Sequence, residues 1–273
     1  MDDDSLAFSP DNFSGFARLF PLPNLIMFPH VMQAMHILDF MKILSEEGVA
    51  QGHAINESML GSSGGAYFLA QVEDLYDPST MHQQLSLSVG EMMSDVQLEQ
   101  ASIFFESELG QSIVSLENSA RRAIADDAIE EMARSAYEQA DREGMFFRLV
   151  DEYVQVNDLI EKNVQGTISA DYSFYQGLAS GQSALFDDAS VLQELLSQHE
   201  NTRAETTEWM YSFLLLAYQP LNESQMRENI AFSRTDAGRA LNSALFMGFD
   251  EMLNGISYQL GQTVAQAMKA SDL

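Results

Sequence analysis

The chemically active inventory of this 273-residue chain is five histidines, 41 acidic residues and no cysteine. The histidines are His30, His36, His53, His82 and His199, and none pair at i, i+4. His36 and Asp39 are three apart and can share a helix face; Glu46 and His53 stand two turns apart. A metal centre needs three or four converging ligands, so these pairs predict no metal site. Asp126-Asp127, Glu130-Glu131 and Asp187-Asp188 are adjacent acids. Neighbours along a helix point in different directions, so these read as helix N-terminal charges and solvated faces, not catalytic dyads. No serine sits in a Gly-x-Ser-x-Gly elbow. Gly61-Ser62-Ser63-Gly64-Gly65 lacks the following lysine and preceding strand of a phosphate-binding loop. Without cysteine there is no disulfide, thiolate metal site or thiol nucleophile. The sequence thus assigns no catalytic, cofactor-binding or metal-ligating residue and no cofactor. The enzymatic alternative is a hydrolase whose site assembles from distant residues.

Charge restricts the partners. Only 13 residues are basic, for a formal net charge of −28. Such a surface repels phosphate backbones and anionic lipid headgroups, which argues against nucleic-acid binding and polybasic membrane docking. Met1-Asp2-Asp3-Asp4 lacks the positive start and apolar run of a secretory signal. The longest apolar stretch, Trp209 to Tyr218, is half of the ~20 residues that span a bilayer, so no transmembrane segment is expected. The 16 methionines suit an irregular helical core, or a groove for a protein or hydrophobic small ligand.

Helices must position whatever site exists. Four of six prolines fall in the first 29 residues, and none lies between Pro78 and Pro220. Ile129, Met132, Ala133, Ala136, Tyr137 and Ala140 recur at helical spacing, with charged residues opposite. Phe146, Leu149, Val150, Tyr153, Asn157 and Ile160 form a second stripe. A third helix, from about Arg203 to Tyr218, is apolar on most sides and belongs in the centre of the fold. Strand signals are confined to Ala17–Phe20 and Leu25–Phe28 around a Pro/Asn turn, which predicts an extended hairpin. Gly61–Gly65 and Ser180–Ser183 read as loops.

The chain also repeats itself. At an offset of 128, Leu98 meets Met226, Phe104 meets Phe232, Ser107 meets Thr235, Glu108 meets Asp236, Gly110 meets Gly238 and Ile113 meets Leu241. The shared pattern predicts a helix, a Ser/Thr hydroxyl capping the next helix, an acid in its first turn, and a glycine permitting close approach. Leu44–Val49 resembles Leu159–Val164 at an offset of 115, so the order of elements is shared with different loop lengths.

Phe104-Phe105-Glu106-Ser107-Glu108-Leu109-Gly110-Gln111 resembles the signature of the bacterial domain-of-unknown-function family 2059. Glu117 to Arg122, Val154 to Leu159, Arg203 to Trp209 and Ala231 to Gly238 are similar to its members as well, so the resemblance covers roughly residues 36–273. It implies an all-helical fold, usually exported, hence a periplasmic location. The missing signal leaves the cytoplasm as the alternative. Arg18 to His30, continued by His36-Ile37, resembles the opening hairpin of the Lon protease N-terminal domain, which implies a substrate-recognition accessory. None of that domain's later strands follow.

The resulting expectation is an all-α chain of two related helical halves packed as one multi-helix domain behind a short extended leader. The leader spans 1–30 and the body 31–273, with halves of about 31–143 and 144–273. Non-catalytic binding or scaffolding in the bacterial envelope is the expected function. The expected partner is a protein or hydrophobic small ligand in a groove between the halves.

Overall fold

The computed structural model describes residues 28–181 and 188–271, and every regular element among them is helical. The helices are α1 (Phe28–Ala34), α2 (Ile37–Ser58), α3 (Gly65–Leu75), α4 (Pro78–Met92), α5 (Asp95–Glu106), α6 (Glu108–Ile124) and α7 (Asp127–Glu138), followed by α8 (Met145–Asn157), α9 (Leu159–Gly181), α10 (Asp188–Ser197), α11 (His199–Tyr218), α12 (Glu223–Ser233) and α13 (Asp236–Ser271). The expected hairpin lies outside the described residues except at its end. There Phe28 already begins α1, so residues 28–30 belong to the helical body.

Local chemistry fixes the boundaries. Asp77 caps α4 by accepting from the Thr80 backbone N–H at 2.8 Å, with Pro78 in the first turn where no N–H is needed. Asp126 caps α7 by accepting from Ala128 and Ile129, so the first of the acid pairs is structural. Ser94 with Gln97 and Asn222 with Gln225 form capping boxes at the starts of α5 and α12. These two boxes are also 128 apart and extend the repeat.

Both corners of the repeat form as their residues dictate. Ser107 Oγ donates to the Phe104 carbonyl at 2.6 Å and accepts from Gly110 N–H at 3.1 Å. Thr235 Oγ1 donates to the Phe232 carbonyl at 2.7 Å and accepts from Gly238 N–H at 3.0 Å. The corners also meet: Phe104 and Phe232 stack with ring centroids 3.9 Å apart and planes parallel. Phe105 stands edge-on to Phe232.

The helices then fall into two matching series, α1 to α6 and α8 to α13, with α7 between them. Each series opens with a helix ended by a left-handed residue, His36 or Asp158 (φ 51° and 54°). Each ends at its corner. Within each series the first helix packs on the fifth and the second on the fourth. The last helices also reach into the other series: α13, besides lying along α9 of its own, packs against α4, and α6 packs against α11. One core accordingly joins α1–α5 to α13 and the end of α9, through Val31, Met41, Leu85 and Leu98 with Leu178, Leu241, Ile256 and Val264. The other joins α8, α11 and α12 to α6, through Val150, Leu214, Tyr218 and Met226 with Leu109 and Ile113. Reciprocal contacts of this kind belong to a two-fold relation rather than a translation.

One stripe is interrupted. The run from Phe146 to Ile160 spans two helices, because Asp158 turns left-handed between α8 and α9. Aspartate tolerates that conformation, and the apolar spacing passes over it unchanged. As expected for an apolar helix, α11 buries Met210, Tyr211, Leu214, Ala217 and Tyr218.

Candidate ligand-binding site

The residues that looked chemically active in the sequence do not converge. His36 lies within 3.5 Å of Asp39, and its Nε2 meets Gln111 Oε1 at 3.0 Å, both at the surface. Glu46 and His53 form no ion pair. Glu130 pairs with Arg134, which also pairs with Glu208. Asp187 and the side chain of Asp188 lie outside the described residues. No group of three metal-ligating side chains occurs among the described residues.

A cavity of about 340 Å³ lies instead at the seam of the two cores. The first core contributes Phe40, Phe105, Phe232 and Leu241; the second contributes Ile113, Tyr153, Met210, Phe213 and Leu214. Its size falls at the lower end of small-molecule sites, and its walls are mostly apolar, as in such sites. A shallower surface depression shares Arg121, Asn163, Trp209 and Met210 with it.

One acid faces this space. Glu117, on α6, accepts a hydrogen bond from the hydroxyl of the fully buried Tyr218. Tyr153 stands edge-on to Tyr218, with ring centroids 5.4 Å apart. Glu117 is only partly exposed, and desolvation by the protein around it raises its carboxyl above the ordinary glutamate range; the Tyr218 bond draws it partly back. Burial foremost, then the charge of Glu117, raises both phenols. Among the described residues no cation pairs with Glu117. Arg121, one turn further along α6, gives Nε and Nη2 to the two carboxylate oxygens of Glu47, each at 2.7 Å. Its guanidinium covers Trp209, 4.7 Å from the ring centroid.

Amides complete the polar wall. Asn157 Nδ2 donates to the Tyr153 carbonyl at 3.0 Å and to Ser233 Oγ at 3.3 Å. Asn242 Nδ2 donates to the Asn157 carbonyl at 3.0 Å. Asn229 is 4% exposed; it sits near the Tyr153 hydroxyl, yet its Nδ2 completes no hydrogen bond of adequate geometry. A buried amide left in this way costs about 1–3 kcal/mol unless something else accepts from it.

The repeat shows which of these residues depart from the common scaffold. Adding 128 carries Ile113 to Leu241, Val114 to Asn242, Glu117 to Leu245, Asn118 to Phe246 and Arg121 to Phe249, and all ten line the cavity. The cavity therefore straddles the relation between the halves. On α6 it is lined by Glu117, Asn118 and Arg121, where α13 presents Leu245, Phe246 and Phe249. Symmetric packing would be served by apolar residues on both sides.

Residues 81–139 match the family model described as "Uncharacterized protein conserved in bacteria (DUF2059)". The DUF2059 match runs from α4 to α7 and contains the first corner and Glu117, in agreement with the resemblance read from Phe104–Gln111. It does not reach residues 17–37, and the Lon-like opening receives no support; residues 28–34 are helix, not strand. No curated protein and no solved structure matches the chain.

The sequence pointed to Glu117 only as part of the DUF2059-like stretch. The usable signal was its position. Ile113, Glu117, Ala120 and Ile124 share one face of α6, so an acid interrupts an otherwise buried stripe.

Proposed function

We propose that the protein binds one small, largely apolar molecule in the cavity between its two halves, without transforming it. The observation that carries this reading is the single acid in a mostly apolar cavity wall: Glu117, with Asn118 and Arg121, stands on α6 where the equivalent positions of α13 carry Leu245, Phe246 and Phe249. Chemistry is disfavoured by the partners of the one serine hydroxyl there. Ser233 Oγ donates to the Asn229 carbonyl and accepts from Asn157, so neither neighbour can take its proton. Among the described residues no histidine lines the cavity. The resemblance to an exported family adds the bacterial cell envelope as the place of action.

The neutral dye N-phenyl-1-naphthylamine tests the reading. It is expected to brighten saturably, at one site per chain. Leu245→Phe, which fills the cavity opposite Glu117, is expected to abolish that signal while leaving the helical circular dichroism unchanged. A non-saturable signal, or one that survives in the folded Leu245→Phe variant, would overturn the proposal.

A further inference from the structure

Resting on that binding reading, we infer that the ligand is a hydrophobic organic cation, an amine carried on an aromatic or aliphatic body, whose ammonium group is received by Glu117. Three observations converge on this class. Glu117 faces the cavity with no basic partner among the described residues, since Arg121 is held by both oxygens of Glu47. Tyr218 satisfies one carboxylate oxygen from the protein side, which leaves the other to accept from a ligand. Aromatic side chains make up much of the apolar wall, among them Phe40, Phe105, Phe213 and Phe249. Aromatic rings attract cations through their negative faces, and more strongly where water is excluded. The chain already uses two rings of this wall in that way: Arg121 lies over Trp209, and Lys162 Nζ stands 4.9 Å from the centre of Phe246. A carboxylate among apolar walls is poorly solvated, so an arriving ammonium gains a charge-assisted hydrogen bond that water does not already provide. The acidic surface favours the approach of a cation and opposes that of an anion.

Trp209 is the only tryptophan of the chain and lines the cavity, so its emission reports occupancy directly. The full-length protein is titrated at pH 8 with three probes of one skeleton: 4-phenylbutylamine, 4-phenylbutanol and 4-phenylbutyrate. The amine is expected to bind about ten-fold or more tighter than the alcohol, the range expected for a desolvated charge pair, with butyrate weakest. In Glu117→Gln the amine falls to the level of the alcohol, while the helical circular dichroism, as folding control, matches that of the wild type. Equal binding of amine and alcohol, or a preference that survives Glu117→Gln, overturns the cation assignment and leaves a binding cavity in place. Failure of all three probes to bind overturns the cavity reading together with it.

Discussion

Gly238→Ala lowers the stability of the protein by about 1–3 kcal/mol, the usual range for forcing an atom into a well-packed site. A Cβ at Gly238 would stand 2.1 Å from the Phe232 carbonyl oxygen and 2.9 Å from the Ser233 Cα. Both are backbone atoms, so neither can swing away. The same carbonyl is held by the Thr235 hydroxyl, which also accepts from the Gly238 N–H. Alanine therefore opens the corner itself. Gly110→Ala meets the same obstacle at 2.2 Å from the Phe104 carbonyl oxygen and is expected to cost a similar amount. The two corners touch through Phe104 and Phe232, so opening one removes part of what the other supports. The double variant should accordingly lose less than the sum of the single losses. Gly255→Ala is the control. It lies on exposed α13 surface with nothing within 4 Å of the added methyl, and alanine there should raise stability by about 0.5–1 kcal/mol. Thermal unfolding measures all four, at about 2–4 °C per kcal/mol for a chain of this size.

The second large effect runs the other way: Glu117→Gln stabilises the protein near pH 8. Desolvation raises the Glu117 carboxyl in the folded state above its unfolded value. Below the unfolded value, about 4.3, the group is protonated in both states and has no effect on folding. As pH rises through the folded value, the unfolded chain ionises more readily, and wild-type stability falls. Glutamine keeps an oxygen for the Tyr218 hydroxyl and does not ionise. The variant and wild type should therefore match near pH 4 and diverge above it. A gain of about 1–2 kcal/mol at pH 8 is the size commonly seen when a functional but destabilising residue is replaced. Urea unfolding at the two pH values reads both the sign and the window.

Much of the fold was legible because it rests on local chemistry. The corners at Phe104–Gly110 and Phe232–Gly238 are set by one hydroxyl and one glycine each, and sequence displays both. The helices around Ile129 and Trp209 were legible from their apolar residues, although Met132, read as part of the first one's apolar stripe, is exposed. Asp158 was not legible, because a single left-handed residue leaves the 3.6-residue spacing of its neighbours intact. Nor was the exchange of α6 and α13 between the cores, since an apolar stripe shows that a helix is buried without showing against which partner. The candidate site was hidden for a related reason. Glu117 is a lone acid among 41, and only the folded chain brings it to Tyr153 and Tyr218, 36 and 101 positions further along. The pairs that stood out, Asp126-Asp127 and Glu130-Glu131, are helix caps and surface ion pairs.

The most direct test is a carbon-detected NMR titration of the Glu117 carboxyl, assigned by its disappearance in Glu117→Gln. In the free protein Glu117 should titrate above the ordinary glutamate range, and saturating 4-phenylbutylamine should move that titration downward. A carboxyl that titrates like an exposed glutamate and does not respond to the amine would contradict the account.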